Sequence, residues 1–312
     1  MGSVNGKVVF ITGGARGIGA EVARRLRRRG AKLVLTDLDE APLSALAAEL
    51  GEEHVLTALA DVRDLAAMQK AADAAVERFG GIDVVMANAG IASFGSVLQV
   101  DPEAFKRVID INVTGVFNTV RATLPAVVER RGYVLVVSSL AAFTSAPGLA
   151  AYHASKAGAE YFANTLRLEV AHLGVDVGSA HMSWIDTPLV QDAKSDLSAF
   201  REMLSKLPPP LNRTTTVDAC GAAFVKGIEG RKKRIYSPEW VGAFRWIRPF
   251  VTTPPAERDI LKFTPTLLPK LDAEAAALGR STSARIEALE NPEKPEKPEK
   301  PETPENPAKP EG

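Results

Sequence analysis

Residues 7–30 constrain the fold more than any other stretch of this 312-residue chain. KVVFIT (7–12) is a short β-branched and aromatic run of the kind buried on both faces of a parallel sheet. It passes directly into Thr12, Gly13, Gly14, Ala15, Arg16, Gly17, Ile18 and Gly19. The helix-forming AEVARRLRRRG follows, with Gly30 as its expected C-terminal cap. A glycine-rich turn between strand and helix lets the main chain close on a pyrophosphate, which then lies against the positive end of the helix. The order strand, turn, helix is the context in which such a motif has meaning. Arg24, Arg25, Arg27, Arg28 and Arg29 read either as a phosphate-binding patch or as the solvated face of that helix.

A second strand over 32–36 ends at Asp37, eighteen residues beyond Gly19. A carboxylate there accepts hydrogen bonds from adenosine ribose hydroxyls and repels the phosphate that distinguishes NADP, which favours NAD; the alternative is that Asp37 only caps the next helix, near Ala41. Helix over 41–50, strand over 54–60, helix over 64–79 and strand over 82–87 continue the alternation. Ala67, Ala71, Ala74, Ala75 and Val76 are the expected packing face of the third helix. Such alternation marks a doubly wound parallel sheet whose ligand lies at the carboxyl ends of the strands.

Residues 138–156, SSLAAFTSAPGLAAYHASK, concentrate the chemistry. Tyr152 and Lys156 stand four apart at the start of a long helix and so share a face. Ser139 arrives from the end of the apolar run YVLVV (133–137). A phenol of ordinary pKa about 10 is a poor base at neutral pH, and a neighbouring cation stabilises its phenolate. Lowering that pKa by roughly three units takes about 4 kcal/mol, more than one ammonium supplies alone, and a positively charged nicotinamide ring would add to it. Taken singly, Tyr152 reads as a half-buried helix tyrosine and Lys156 as a solvated charge.

Together, T-G-x-x-x-G-x-G, a serine thirteen positions before the tyrosine and Y-x-x-x-K resemble the short-chain dehydrogenase/reductase family over about residues 7–236. The resemblance implies that Tyr152 is the acid and base, Lys156 lowers its pKa and binds the nicotinamide ribose, and Ser139 holds the substrate oxygen. It implies that Asn112, in the N-V-T-G break of a helix over 102–130, completes a proton path through water. It implies cofactor contacts at Asp61 and Val62, at Asn88-Ala89-Gly90, and at Ile185 and Thr187. Arg16 pulls toward NADP, since a basic residue there holds the extra phosphate in some relatives; Asp37 lies closer to the ribose 2′ position. Met182-Ser183 replaces the family's usual Pro-Gly, which leaves that loop less constrained. His181 reads as the end of a strand, and no residues show metal-ligand spacing.

The 38 basic and 38 acidic residues cancel, so no global field favours nucleic acid. A single cysteine, Cys220, excludes an internal disulfide and fits a reducing compartment. No leader or spanning segment is expected, and the chain reads as cytoplasmic. Residues 191–211 place Leu197, Phe200, Met203, Leu204 and Leu207 at helical spacing, a face that packs on the sheet or roofs a pocket for an apolar substrate. Beyond a last edge strand (234–237), Trp240, Phe244, Trp246, Ile247 and Phe250 alternate with Arg245 and Arg248, reading as a lid, a subunit contact or a membrane-surface helix.

The expected organisation is one Rossmann-like catalytic domain (1–238), a helical extension acting as lid or subunit contact (239–290) and a disordered Pro/Glu/Lys tail (291–312). The expected activity is NAD-dependent interconversion of a small hydrophobic secondary alcohol and its ketone, in a homodimer or homotetramer by resemblance. An NADP-dependent ketoreductase and a non-catalytic dinucleotide sensor are the alternatives.

Overall fold

A computed structural model of the chain describes residues 3–290, and the tail expected over 291–312 lies outside them. The described residues form seven strands: β1 (Val8–Thr12), β2 (Lys32–Asp37), β3 (Val55–Leu59), β4 (Val84–Ala87), β5 (Tyr133–Val137), β6 (Asp176–Met182) and β7 (Arg234–Ser237). They make one parallel sheet in the order β3-β2-β1-β4-β5-β6-β7. The order reverses between β1 and β4, so the loops after these two strands diverge and leave a crevice at their carboxyl ends.

Side chains alternate across each strand and fill two cores. On one face Val9, Ile11, Leu33, Leu35 and Leu135 meet α1 (Gly17–Arg27), α2 (Glu40–Leu50) and α9 (Val217–Glu229). On the other, Val8, Phe10, Val34, Val85 and Val134 meet α3 (Leu65–Phe79), α4 (Pro102–Ile109), α5 (Gly115–Glu129) and α6 (Ala150–Val170). A third cluster joins α7 (Pro188–Asp196) and α8 (Ser198–Lys206) to α11 (Pro254–Leu278), through Phe200, Met203, Leu204, Leu267 and Leu271. The extension also contains α10 (Val241–Val251) and α12 (Ala284–Glu290).

Several local expectations change once tertiary partners are in place. Helix α1 ends at Arg27, and Gly30, at φ +83°, makes the turn into β2 rather than the cap. On α3, Val76 is exposed, and Met68 and Ala72 pack beside Ala71 and Ala75, because the core-facing stripe is rotated from the run of alanines. Of the arginines in and just after α1, Arg24, Arg25 and Arg29 are taken up by ion pairs, with Arg28 and Arg29 exposed and Arg25 largely covered. Arg24 pairs with Glu49 at 2.7 Å, Arg25 with Glu21 at 2.6 Å and with Asp218, and Arg29 with Glu229 at 3.1 Å.

Phe224 of α9 is fully buried in the first of the two cores, where α9 packs on α1 and β7. Replacing it by alanine removes a large apolar group from a site that collapses only in part. We expect Phe224→Ala to cost about 3–5 kcal/mol, read as a lower urea midpoint at unchanged slope.

Candidate active site

The crevice is built from main-chain ties between strand ends. Thr12, the last residue of β1, accepts on its hydroxyl from Asn88 N at 3.0 Å and Ala89 N at 3.1 Å. Asn88 Nδ2 in return donates to the carbonyls of Thr12 (2.9 Å) and Gly13 (3.0 Å). The Asn88-Ala89-Gly90 segment is thereby fixed to the glycine turn. Within that turn Gly19 sits so close to Gly13 that a Cβ would lie 2.1 Å from the Gly13 oxygen, so only glycine fits. Asp37, at the end of β2, accepts from Ala15 N at 3.0 Å and from Leu38 N at 2.9 Å. It therefore shapes the turn and does not cap α2, whose N-cap residue is Asp39. Asp39 instead binds the Arg16 guanidinium at 2.6 Å.

The hydroxyl, phenol and amine come together at the end of β5. The Ser138 hydroxyl donates to the Lys156 carbonyl at 2.8 Å and docks α6 on the strand end. Lys156 is 5% exposed, so it is no solvated charge, and its Nζ donates to the Val137 carbonyl at 3.1 Å and lies 5.7 Å from the centre of the Tyr152 ring. Burial pushes its pKa down to about 8. The half-buried Tyr152 phenol is pushed up by desolvation, and a hydrogen bond with Ser139 opposes this. This differs from the simple expectation of a phenol lowered by its neighbouring amine. The amine is itself desolvated, and in the protein alone it donates to a carbonyl.

Asn112 is fully buried in a π-helical turn, Asp110–Thr114, that joins α4 to α5. Its Oδ1 accepts from Ile91 N, and its Nδ2 donates to Ile91 O and Ser155 Oγ, each at 2.9 Å. It thus holds the start of the segment after Gly90 against α6. Gly90 is the gap between the two: a Cβ there would be 3.1 Å from Asn112 Oδ1 and 3.2 Å from Lys156 Nζ. Both oxygens of Asp61 are held by the Arg63 side chain, at 2.6–3.1 Å. Val62 is backed by α5, where a Cβ on Gly115 would lie 2.5 Å from Val62 Cγ2.

The loop after β6 is better anchored than the missing Pro-Gly implies. Ile185 forms a parallel bridge with Thr215, closed by Thr215 N donating to Trp184 O at 2.8 Å and Asp186 N to Thr215 O at 2.9 Å. Thr187 N donates back to Ile185 O at 2.7 Å, and the Thr187 side chain stands 3.4 Å from where a Gly17 Cβ would be. Ser183 belongs to the cleft wall, and its Oγ is buried without a hydrogen-bond partner among the described residues. His181 lies inside β6, stacked on Phe143, with Nε2 at 2.8 Å from Ser179 Oγ. Burial pushes its pKa down to about 3, which keeps it neutral.

These elements enclose a cavity of about 690 Å³. Of the residues assigned to catalysis or cofactor contact from the sequence, Gly13, Arg16, Gly17, Ile18, Asp37, Asp61, Val62, Asn88, Ala89, Gly90, Ser139, Tyr152, Lys156, Ile185 and Thr187 line it, and Thr12, Ala15, Gly19 and Asn112 stand behind its wall. Reasoning from sequence missed three supports: Ser138, His153 and Asn118. The His153 ring Nδ1 is 2.9 Å from Ala141 O and 2.7 Å from Thr144 O, pinning the loop over the phenol. Asn118 Nδ2 donates at 2.9 Å to the carbonyls of Val62 and Arg63 and holds the turn beside Asp61. A polar amide within the apolar stripe of α5 was the available signal. The groups that frame the cavity suit a dinucleotide: side-chain-free glycines where phosphates would approach, a carboxylate at the end of β2, and an amine beside a phenol.

Comparison with known proteins agrees. The family model described as short chain dehydrogenase matches residues 7–198, more than half of the chain. An uncharacterised NAD-dependent oxidoreductase of Mycobacterium tuberculosis is 37% identical over 208 residues, covering 61% of this chain and 75% of that one. The trans-4-hydroxycyclohexanecarboxylate dehydrogenase of Sinomonas cyclohexanicum is 35% identical over 196 residues, covering 60% of this chain and 76% of that one. The crystal structure of a short chain dehydrogenase from Mycobacterium paratuberculosis bound to NAD superposes with a TM-score of 0.66 at 28% identity, over 75% of this chain and 97% of that one. On the extent of these matches, and on a fold that superposes with theirs, the chain belongs to the short-chain dehydrogenase family.

Proposed function

We propose that the protein is an NAD-dependent oxidoreductase that interconverts an apolar secondary alcohol and its ketone. The observation that carries this reading is the meeting of the Ser139 hydroxyl, the Tyr152 phenol and the buried Lys156 amine on the cavity into which the glycine turn opens. NAD, when bound, supplies the hydride acceptor and a positively charged ring. In the oxidising direction Tyr152 takes the hydroxyl proton of the alcohol as the carbinol hydrogen leaves with its electron pair, and in reverse the phenol returns that proton. Ser139 holds the reacting oxygen beside the phenol. Lys156, mostly protonated at neutral pH with a pKa of about 8, stabilises the phenolate. Asn112 sets the position of Lys156 through Ser155 and the wall at Gly90.

Two observations support NAD over NADP. The Asp37 carboxylate is fixed at the rim by Ala15 N, and Arg16, the cation available to a ribose phosphate, is already held by Asp39. The relatives named for NAD dependence or solved with NAD support the same choice. A cyclic secondary alcohol is one substrate type within this class, as the name of the Sinomonas relative suggests. Phe117, Tyr161 and Leu168, exposed on α5 and α6, support a subunit contact at those helices in a homodimer or homotetramer.

Tyr152→Phe is expected to lower turnover at least about a hundredfold while NADH binding, followed by fluorescence, stays nearly intact. Wild-type turnover in that variant would remove the phenol from the mechanism. Lys156→Ala takes a cation from beside the phenol, so the alkaline rise of kcat/KM for oxidation is expected to move to higher pH by about one pH unit; an unmoved limb would show that the amine does not act on Tyr152. For Asp37→Ala, the ratio of kcat/KM with NAD to that with NADP should fall at least about tenfold. An unchanged ratio would mean that the carboxylate does not read the ribose.

A further inference from the structure

The extension presents two different surfaces. Phe244 and Val251 of α10, with Ile260 and Phe263 of α11, line the cavity that holds Tyr152. The same two helices leave Trp246 (75% exposed), Phe250 (67%), Leu261 (60%) and Ile247 (42%) on the outside. Trp246, Ile247 and Phe250 stand within two turns of one helix, and large apolar side chains exposed so close together mark an interaction site. We propose that the α10–α11 hairpin docks the protein on an anionic lipid surface, with Trp246, Ile247, Phe250 and Leu261 entering the headgroup boundary and the helices acting as a port between bilayer and active site.

The chemistry of the patch selects this partner. Helix α10 carries two arginines and no acid. Arg245 lies over the Trp246 ring at 5.0 Å, at the level a cation takes beside an interfacial indole. On α11, Arg258 stands next to Glu257, and Lys262 is paired with Asp259 at 2.7 Å. Arg248 turns to Glu160 at 3.3 Å, so among the described residues Arg245 carries the uncompensated positive charge at the patch. An aromatic and aliphatic face edged by a cation is the composition of helices that lie in a membrane interface. A twofold contact with a second copy centred on Trp246 would set each Arg245 close to its own counterpart, which disfavours self-association through this face. Among the described residues no helix is long and apolar enough to cross a bilayer, so the contact is a surface one. Apolar alcohols concentrate in the acyl region, and the inner wall of the same hairpin is the cavity wall. The delivery role rests on the proposed apolar substrate, whereas vesicle binding does not.

The test is sedimentation of the full-length protein with phosphatidylcholine vesicles that contain or lack about a quarter phosphatidylglycerol, at low salt. We expect wild type to bind the anionic vesicles. Trp246→Ser/Phe250→Ser should weaken that binding at least about tenfold, and Arg245→Glu should remove the preference for anionic lipid. Both variants should retain NADH binding and turnover of a water-soluble alcohol, which shows that they are folded. No binding of wild type to either vesicle would overturn the proposal. So would binding unchanged in the double variant, and so would loss of an oligomer in that variant without any vesicle binding, which would assign the face to a second copy. Vesicle binding by a protein inactive with every alcohol and NAD would sink the oxidoreductase reading and leave the docking surface standing.

Discussion

A lysine amine buried at the carboxyl edge of the sheet sets the terms for everything around it. Removing an ammonium group from water is costly unless polar atoms replace its hydration, and Lys156 has the Val137 carbonyl at 3.1 Å for that purpose. The carbonyl is free because β5 ends there, and α6 is held at the right height because Ser138 bonds the Lys156 carbonyl. The group remains under strain of solvation, as its pKa of about 8 records. A cation so placed sits ready to favour negative charge on the nearest acid, the phenol of Tyr152, whose own burial works in the opposite direction. The proposed chemistry rests on an imbalance between two desolvated groups, which a bound positive ring would tip.

The rest of the crevice serves to hold that edge still. Thr12 and Asn88 lock β1 to β4 where the strand order reverses, and Asn112 locks the following segment to α6 through Ile91 and Ser155. Each is a buried or half-buried polar side chain spent mostly on main-chain groups, the arrangement that makes an irregular loop end tolerable inside a protein. The π-helical turn at Asp110–Thr114 is the local cost of aiming Asn112 inward.

Much of this was legible in the sequence, for a physical reason. Strands such as KVVFIT and YVLVV are buried on both faces and read as unbroken apolar runs, and the glycine turn and the Tyr152–Lys156 spacing are local. What resisted reading depends on residues far apart in the chain. Asp37 binding Ala15 N, Asn118 holding the carbonyl of Val62, and Ile185 pairing with Thr215 have no local signature, since each partner alone is an ordinary polar or apolar residue. The loop at Met182-Ser183 accordingly looked loose, although a bridge from a distant strand-like segment tethers it. The packing face of α3 was misjudged because alanine marks both stripes of that helix and cannot show which is turned inward. On the extension, the aromatic and basic pattern was plain, but which side chains face the cavity was settled only by the way α10 and α11 pack.

The Ile185–Thr215 bridge has a wider meaning. The chain passes Ile185 just beyond β6, builds α7 and α8, and returns at Thr215 to pair with Ile185, so this flap is drawn shut at the neck like a purse. Lengthening a segment whose ends are already joined adds only slowly to its entropy, about 0.6 kcal/mol for each doubling. Variation in the contents of the purse leaves the neck, and therefore the groups around Tyr152, where they are, which lets a fixed chemical edge be fitted with differently shaped chambers.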